Sequence, residues 1–123
     1  MDERVTLRSH LDRSIAQIPH GDAIGAVIEA VATAAIELAA VIADGPLAGV
    51  TGQDSGINPD GDRQKDIDII ADNMMRRALR AGRVAAVLSE EVELPETFRP
   101  EACLCVAIDP LDGSGNIENN LSM

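Results

Sequence analysis

Most residues in this chain that could do chemistry are carboxylates, and they collect in three short segments. The first is Gly61–Asp68, the second is Ser89–Glu91, and the third is Asp109–Asn116. Carboxylate oxygens are the ligands that hard cations such as Mg²⁺ prefer. A bound divalent cation would also offset the local negative charge and let an anionic ligand approach. The three segments therefore predict a divalent-metal site, provided that the fold brings them together.

The third segment carries the most chemical information, because Asp109 and Asp112 flank a Pro-Leu corner and can face one point. Pro110 stiffens the corner, and Gly113 lets the backbone approach a ligand closely. The amides from Ser114 onward lie near a predicted helix N-terminus, where a phosphate group is favoured. Carboxylates beside such amides are typical of metal-assisted phosphoester hydrolysis. The alternative is a turn rich in Asp and Asn with no function.

The other two segments are ambiguous on their own. Glu90 and Glu91 follow a predicted strand, but paired glutamates usually lie on a solvated surface. Asp62 could be a loop residue or part of the N-cap region of the next helix. Asp68 lies near the first turn of that helix, where an acidic side chain is favourable without any function. If the strand ends are neighbours in an α/β sheet, these carboxylates converge beyond the carboxyl ends of the strands.

Other chemistries find no support in the residue pattern. His10 and His20 lie in unrelated contexts without a paired nucleophile, so no catalytic triad is indicated. The chain has no glycine-rich nucleotide-binding motif. Cys103 and Cys105 lack histidines at ligand spacing, which argues against a structural zinc site. We interpret them as two thiols of the core that are poorly placed to bond with each other.

Periodicity and breaker residues predict a mixture of helices and short strands. A long segment with four glycines, Pro46–Arg63, is predicted as a loop with a function, and Glu93–Glu101 as a plain loop. Asp22 is the expected N-cap of the second helix. The expected elements are helices over about Thr6–Ala16, Ala23–Ala43 and Asp66–Ala81, the last with a core stripe of Ile67, Ile70, Ala71, Met74 and Ala78, and strands over Val84–Leu88 and Leu104–Ile108.

Composition and charge exclude several classes of protein. The net charge is −11, which argues against a general nucleic-acid binder. Residues 84–123 hold one basic and eight acidic side chains. The apolar stretch Ala23–Ala43 is long enough to span a membrane, but Glu29 and Glu37 interrupt it. We predict a largely buried helix of a soluble protein, with no membrane partner. The start of the chain lacks the apolar core of a secretory signal, so we expect a cytoplasmic location.

The acidic segments resemble a known family. Gly61-Asp62-x-Gln64-Lys65-x-x-Asp68, Leu88-Ser89-Glu90-Glu91 and Asp109-Pro110-Leu111-Asp112-Gly113-Ser114-x-Asn116-Ile117 follow the order and approximate spacing of class I fructose-1,6-bisphosphatases. These enzymes belong to the lithium-sensitive, magnesium-dependent sugar phosphatase superfamily. The last motif is shared with inositol monophosphatases, which more often have Asp-Pro-Ile-Asp-Gly-Thr. The Gly-Asp-x-Gln-Lys segment favours the bisphosphatase.

The resemblance implies a role for each matching position. Mg²⁺, in two or more copies per site, would be the cofactor, and Mn²⁺ could replace it. Asp68 and Glu91 would orient and deprotonate the attacking water. The other implied residues are the metal ligands Glu90, Asp109, Leu111 (through its carbonyl), Asp112 and Asp62, and the 1-phosphate-binding backbone of Asp112, Gly113, Ser114 and Gly115.

The resemblance also implies the fold and the wider context. We expect an α+β protein with the layered α/β sugar-phosphatase fold, of which residues 1–123 are the N-terminal part. Full-length family members run to more than 300 residues, are typically homotetramers, and act on a sugar bisphosphate in gluconeogenesis or the Calvin cycle. Two other functions stay open. One is an inositol monophosphatase-like or other sugar or nucleotide phosphatase, and the other is a non-catalytic acidic metal-binding module.

Overall fold

The computed structural model describes residues 4–44 and 59–112, with the backbone alone for residues 59–65. The side chain of Asp62 and the predicted phosphate-binding residues Gly113, Ser114 and Gly115 therefore lie outside the described part. Within it, helices precede a small sheet, which confirms the α+β class. The elements in chain order are α1 (Leu7–Ser14), α2 (Gly21–Asp44), α3 (Pro59–Arg80), β1 (Val84–Ser89), β2 (Glu96–Thr97) and β3 (Leu104–Ile108).

The sheet is mixed and has the strand order β2-β1-β3. The central strand β1 runs antiparallel to β2 and parallel to β3. Its last residue, Ser89, pairs with Ile108, the last residue of β3. Because parallel strands end at the same edge of a sheet, the segments that follow β1 and β3 emerge side by side. This edge is where the second and third acidic segments meet.

The hydrophobic core lies between helices α2 and α3 and one face of the sheet. Ala34 and Leu38 of α2 pack against Ala71 and Met75 of α3. Farther along α3, Leu79 packs with Val84 and Val87 of β1. The core line of α3 thus runs through residues 71, 75 and 79. The predicted stripe lies to one side of this line, and apart from Ala71 its members are only half-buried. The face of α3 that becomes buried is the one that packs against α2 and β1, and hydrophobicity along the helix does not show where those partners lie.

The short helix α1 is held by its cap and by a tight corner. Thr6 and Ser9 exchange backbone-to-side-chain hydrogen bonds of 3.1 Å, which form a capping box. The corner between α1 and α2 includes His20 with a φ of 59°. Helix α2 then begins at Gly21, so Asp22 lies inside the helix and the prediction that it is the N-cap is wrong.

The prediction that the second helix is largely buried is also wrong for the part of the chain that the structure describes. Ile28 and Ile36 of α2 remain 39% and 73% exposed. The neighbours α1 and α3 cover one side of α2 and leave much of its apolar circumference uncovered. By length and composition alone α2 could also cross a membrane, but one such helix is weak evidence, because core helices pass the same test.

Three further expectations need correction. Helix α3 begins at Pro59, so the predicted loop Pro46–Arg63 is helical in its last part; proline suits the first turn, where its missing N–H has no partner in any case. The predicted loop Glu93–Glu101 contains β2. Cys103 and Cys105 are free, as expected, but exposed rather than in the core, because the described helices cover only one face of the sheet.

Candidate metal centre

The two strand ends bring Glu90 and Asp109 into direct contact. The N–H of Glu90 donates to the carbonyl of Ile108 at 3.1 Å, which joins the segment after β1 to the segment after β3. The pKa of Glu90 is raised, chiefly by a hydrogen bond with Asp109 and by the negative charge of that residue. Slight desolvation and the negative charges of Glu91 and Asp112 act in the same direction, although Glu90 is exposed. Two carboxylates this close repel each other, and a cation between them would remove that repulsion.

Helix α3 contributes a third carboxylate to the same place. The pKa of Glu91 is raised, first by partial desolvation, although the residue as a whole is exposed, and then by the negative charges of Asp68, Asp72 and Asp109. Asp68 lies one helical turn before Asp72 on α3, so both face the end of β1. The structure therefore brings together the predicted residues Asp68, Glu90, Glu91, Asp109 and Asp112.

The Asp109–Asp112 corner is anchored by its two middle residues. Pro110 is buried, and Leu111 packs against the core formed by Ala34, Leu38, Ala71 and Met75. The flanking Asp109 and Asp112 are exposed. Packing of the Pro-Leu pair against the core thus leaves the flanking carboxylates facing outward, at the carboxyl edge of the sheet.

The donor set suits a hard divalent cation, since it consists of carboxylate oxygens with accumulated negative charge. Among the described residues, however, no group of three or more acidic, His or Cys side chains already stands in an arrangement that could hold a metal ion. Asp62 lies within α3, and its side chain is outside the described part.

Sequence reasoning missed a network of polar residues on α3 and β2 that packs against the end of β1. Asp72 is buried and accepts a hydrogen bond of 2.5 Å from the Ser89 hydroxyl. Arg76 pairs with Asp72 at 2.8 Å and with Glu96 of β2 at 2.6 Å. Arg80 pairs with the other oxygen of Glu96 and stacks over the ring of Phe98. The spacing of Asp72 and Arg76, four apart on one helix, was the available signal, but such pairs usually lie on the surface.

The fold first defines a class: an α+β protein whose sheet carries Glu90, Glu91, Asp109 and Asp112 at its carboxyl edge, with Asp68 of α3 near Glu91. We call this group of carboxylates the acidic edge. A holo crystal structure of fructose-1,6-bisphosphatase from Leishmania major matches 94% of the chain with a TM-score of 0.74 and 25% identity. The family described as "Fructose-1-6-bisphosphatase, N-terminal domain" matches residues 6–123. The chain belongs to this family, which confirms the resemblance seen in the sequence.

Curated relatives agree with this assignment. A class 1 fructose-1,6-bisphosphatase of Bradyrhizobium sp. strain BTAi1 is 53% identical over the whole chain. One from Bradyrhizobium diazoefficiens is 43% identical, again over the whole chain. The chain spans only 34% and 36% of the length of these two relatives. These comparisons favour the fructose-bisphosphatase interpretation over the inositol monophosphatase-like enzyme and over the acidic binding module.

Proposed function

We propose that the full-length protein carrying this chain hydrolyses the 1-phosphate of fructose 1,6-bisphosphate, releasing fructose 6-phosphate and phosphate. The observation that carries this proposal is the contact between Glu90 and Asp109 at the ends of neighbouring parallel strands, with the Asp109–Asp112 corner directly after it. Family membership supplies the choice of substrate. On this proposal the chain is the N-terminal part of the enzyme, and the cations that neutralise the 6-phosphate come from the remainder.

The metal on this proposal is Mg²⁺, in two or more copies, with Mn²⁺ as a substitute. When bound, it would neutralise phosphate oxygens and lower the pKa of a bound water molecule. The residues that would hold it are Glu90, Asp109, the carbonyl of Leu111, Asp112 and Asp62. Carboxylates that repel one another without a cation are well suited to binding one, because the cation removes that repulsion.

Asp68 and Glu91 have a different role in the proposal. They orient the attacking water and take its proton while the water oxygen attacks phosphorus in line. The bond between phosphorus and the 1-oxygen of the sugar breaks on the opposite side, and that oxygen leaves and takes up a proton from the solvent. The raised pKa of Glu91 supports this assignment, because a general base works best when its pKa approaches the working pH. The backbone of Asp112, Gly113, Ser114 and Gly115 holds the phosphate that is cleaved.

Replacing one carboxylate tests the site. In the full-length enzyme, Asp109→Asn should abolish phosphate release from fructose 1,6-bisphosphate at every Mg²⁺ concentration, because it removes a metal ligand and several kcal/mol of transition-state stabilisation. Asp12→Asn is the matched control, since Asp12 is exposed on α1 far along the chain from the acidic edge. Circular dichroism of both variants checks the fold.

The same assay separates the competing functions. Near-normal turnover by a folded Asp109→Asn variant contradicts the metal assignment. Turnover of inositol monophosphate by the wild-type enzyme, without turnover of fructose 1,6-bisphosphate, would favour the other branch of the superfamily. Absence of any Mg²⁺-dependent phosphate release would favour a binding module.

The wider setting follows from the same proposal. The enzyme acts in the cytoplasm, in gluconeogenesis or the Calvin cycle, as a homotetramer with no nucleic-acid or membrane partner. In this setting the exposed apolar residues of α2, such as Ile36, are covered by the remainder of the protein. Light scattering of the full-length enzyme measures the oligomeric state.

A further inference from the structure

The turn that carries Glu90 and Glu91 is held by three consecutive backbone amides. The amide of Glu90 donates to the carbonyl of Ile108 at 3.1 Å, and the amide of Val92 donates to the carbonyl of Ser89 at 3.1 Å. The amide between them, that of Glu91, donates instead to a side chain, the Ser89 hydroxyl, at 3.3 Å. The middle of the turn therefore depends on one hydroxyl group.

The orientation of that hydroxyl is set by helix α3. Ser89 donates its single proton to Oδ1 of Asp72 at 2.5 Å, and this bond is buried. Because a hydroxyl has one proton and two lone pairs, committing the proton to Asp72 leaves a lone pair for the Glu91 amide. Ser89 thus links the carboxylate of α3 to the turn after β1.

Asp72 is itself firmly held. It is 3% exposed, and its second oxygen accepts from Arg76 at 2.8 Å. A buried carboxylate is costly unless its oxygens have partners, and here Ser89 and Arg76 supply one each. Arg76 is held in turn by Glu96 of β2. The chain of contacts runs from the sheet edge, through α3, to the turn that bears the acidic pair.

We propose that Asp72 and Ser89 are positioning residues: Asp72 orients the Ser89 hydroxyl, and this hydroxyl sets the direction of Glu91 and Glu90 at the metal centre. This inference deepens the proposed function and rests on it. Neither residue touches the substrate. The bond that matters for positioning is the one from Ser89 to Asp72, whereas the ion pair between Asp72 and Arg76 serves stability.

The distinction between hydrogen bond and charge gives a test in the full-length enzyme. Ser89→Ala and Asp72→Ala should each lower kcat by about 10- to 100-fold, as expected for a misplaced catalytic group, and raise the Mg²⁺ concentration needed for half activity. KM for the sugar bisphosphate should change little. Arg76→Gln removes the charge that pairs with Asp72 but leaves the Asp72 oxygen that accepts from Ser89, and its side-chain amide can still donate to Asp72. It should therefore retain most of kcat while its melting temperature falls.

Glu96→Gln is the matched control. It weakens the same network at its far end, where Glu96 meets Arg76 and Arg80, but leaves the bonds between Asp72, Ser89 and Glu91 in place. We expect a lower melting temperature with unchanged kcat. If the network only stabilises the fold, the loss of kcat should instead be proportional to the fall in melting temperature across all four variants.

Hydrogen exchange gives a readout without metal or turnover. In the metal-free protein the Glu91 amide should exchange faster in Ser89→Ala than in wild type, while the Glu90 and Val92 amides change less. Unchanged exchange at Glu91, or an unchanged kcat in Ser89→Ala, overturns the positioning role. If wild type does not hydrolyse fructose 1,6-bisphosphate, the proposed function fails, but the exchange result still decides whether Ser89 holds the turn.

Discussion

At the scale of single residues, the carboxylates in and beside the acidic edge differ in their surroundings. Glu90 contacts another carboxylate, Glu91 is exposed but close to the charges of Asp68, Asp72 and Asp109, and Asp72 is paired and buried. Residue type and spacing were enough to select Glu90, Glu91 and Asp109 as candidates. They were not enough to select Asp72, because a mid-helix aspartate gives no sign that its oxygens will meet a serine from a strand.

Asp68 can be tested against its neighbour on the same helix. If Asp68 helps to deprotonate the water, Asp68→Asn in the full-length enzyme should lower kcat by about 10²- to 10⁴-fold and leave KM nearly unchanged. Asp66→Asn, which removes a charge two residues earlier on α3, should leave kcat unchanged. A lower melting temperature with normal kcat in Asp68→Asn would mean that the residue only favours the helix N-terminal end.

At the scale of elements, the identity and order of the longer helices and strands follow from local pattern. The strand Leu104–Ile108 was predicted to the residue, and β1 differs by one residue at its end. Elements that depend on contacts were missed. The two-residue strand β2 exists because it pairs with β1, where the amides of Phe98 and Arg99 both donate to the carbonyl of Ala85.

The corner between α1 and α2 gives a prediction about stability. A Cβ atom added at Gly21 would lie 2.3 Å from the carbonyl oxygen of Ile15, a distance that backbone atoms cannot accommodate without moving. Gly21→Ala should therefore destabilise the protein by about 1–3 kcal/mol, as overpacking does. At Gly82 the added atom would meet its nearest neighbour at 3.4 Å, so Gly82→Ala is the control and should be close to neutral. Equal unfolding midpoints in denaturant for the two variants would contradict this account.

At the scale of the whole molecule, the charge distribution links folding to metal binding. The pKa values of Glu90 and Glu91 are raised above the ordinary value of 4.5. For an acid whose pKa is higher in the folded state, the stabilisation is complete below the unfolded pKa and is lost as the pH rises through the folded one. Glu96 behaves in the opposite way: its pKa is lowered, chiefly by the hydrogen bond from Arg76, so its contribution is present above 4.5 and is lost as the pH falls through the lowered value.

These signs predict how Mg²⁺ affects the melting temperature. Near neutral pH the ionised acidic edge destabilises the metal-free fold, so Mg²⁺ should raise the melting temperature there. At a pH near the ordinary carboxyl value of 4.5, where groups with raised pKa values are mostly protonated, the increase should be smaller. Glu90→Gln should raise the melting temperature of the metal-free protein at neutral pH and reduce the response to Mg²⁺. The same response to Mg²⁺ at both pH values would contradict the linkage.

The amino-acid sequence by itself determined the local elements, the three acidic segments and the family to which the chain belongs, because periodicity, turn residues and motif spacing are written in neighbouring positions. It misjudged the burial of α2 and of Cys103 and Cys105, since burial depends on what packs against a surface. Only the tertiary structure decided that Glu90 meets Asp109 and that Asp72 reaches Ser89. Those contacts join residues 17 or more positions apart in the chain, and their existence depends on the parallel register of β1 and β3 and on the way α3 lies across the sheet.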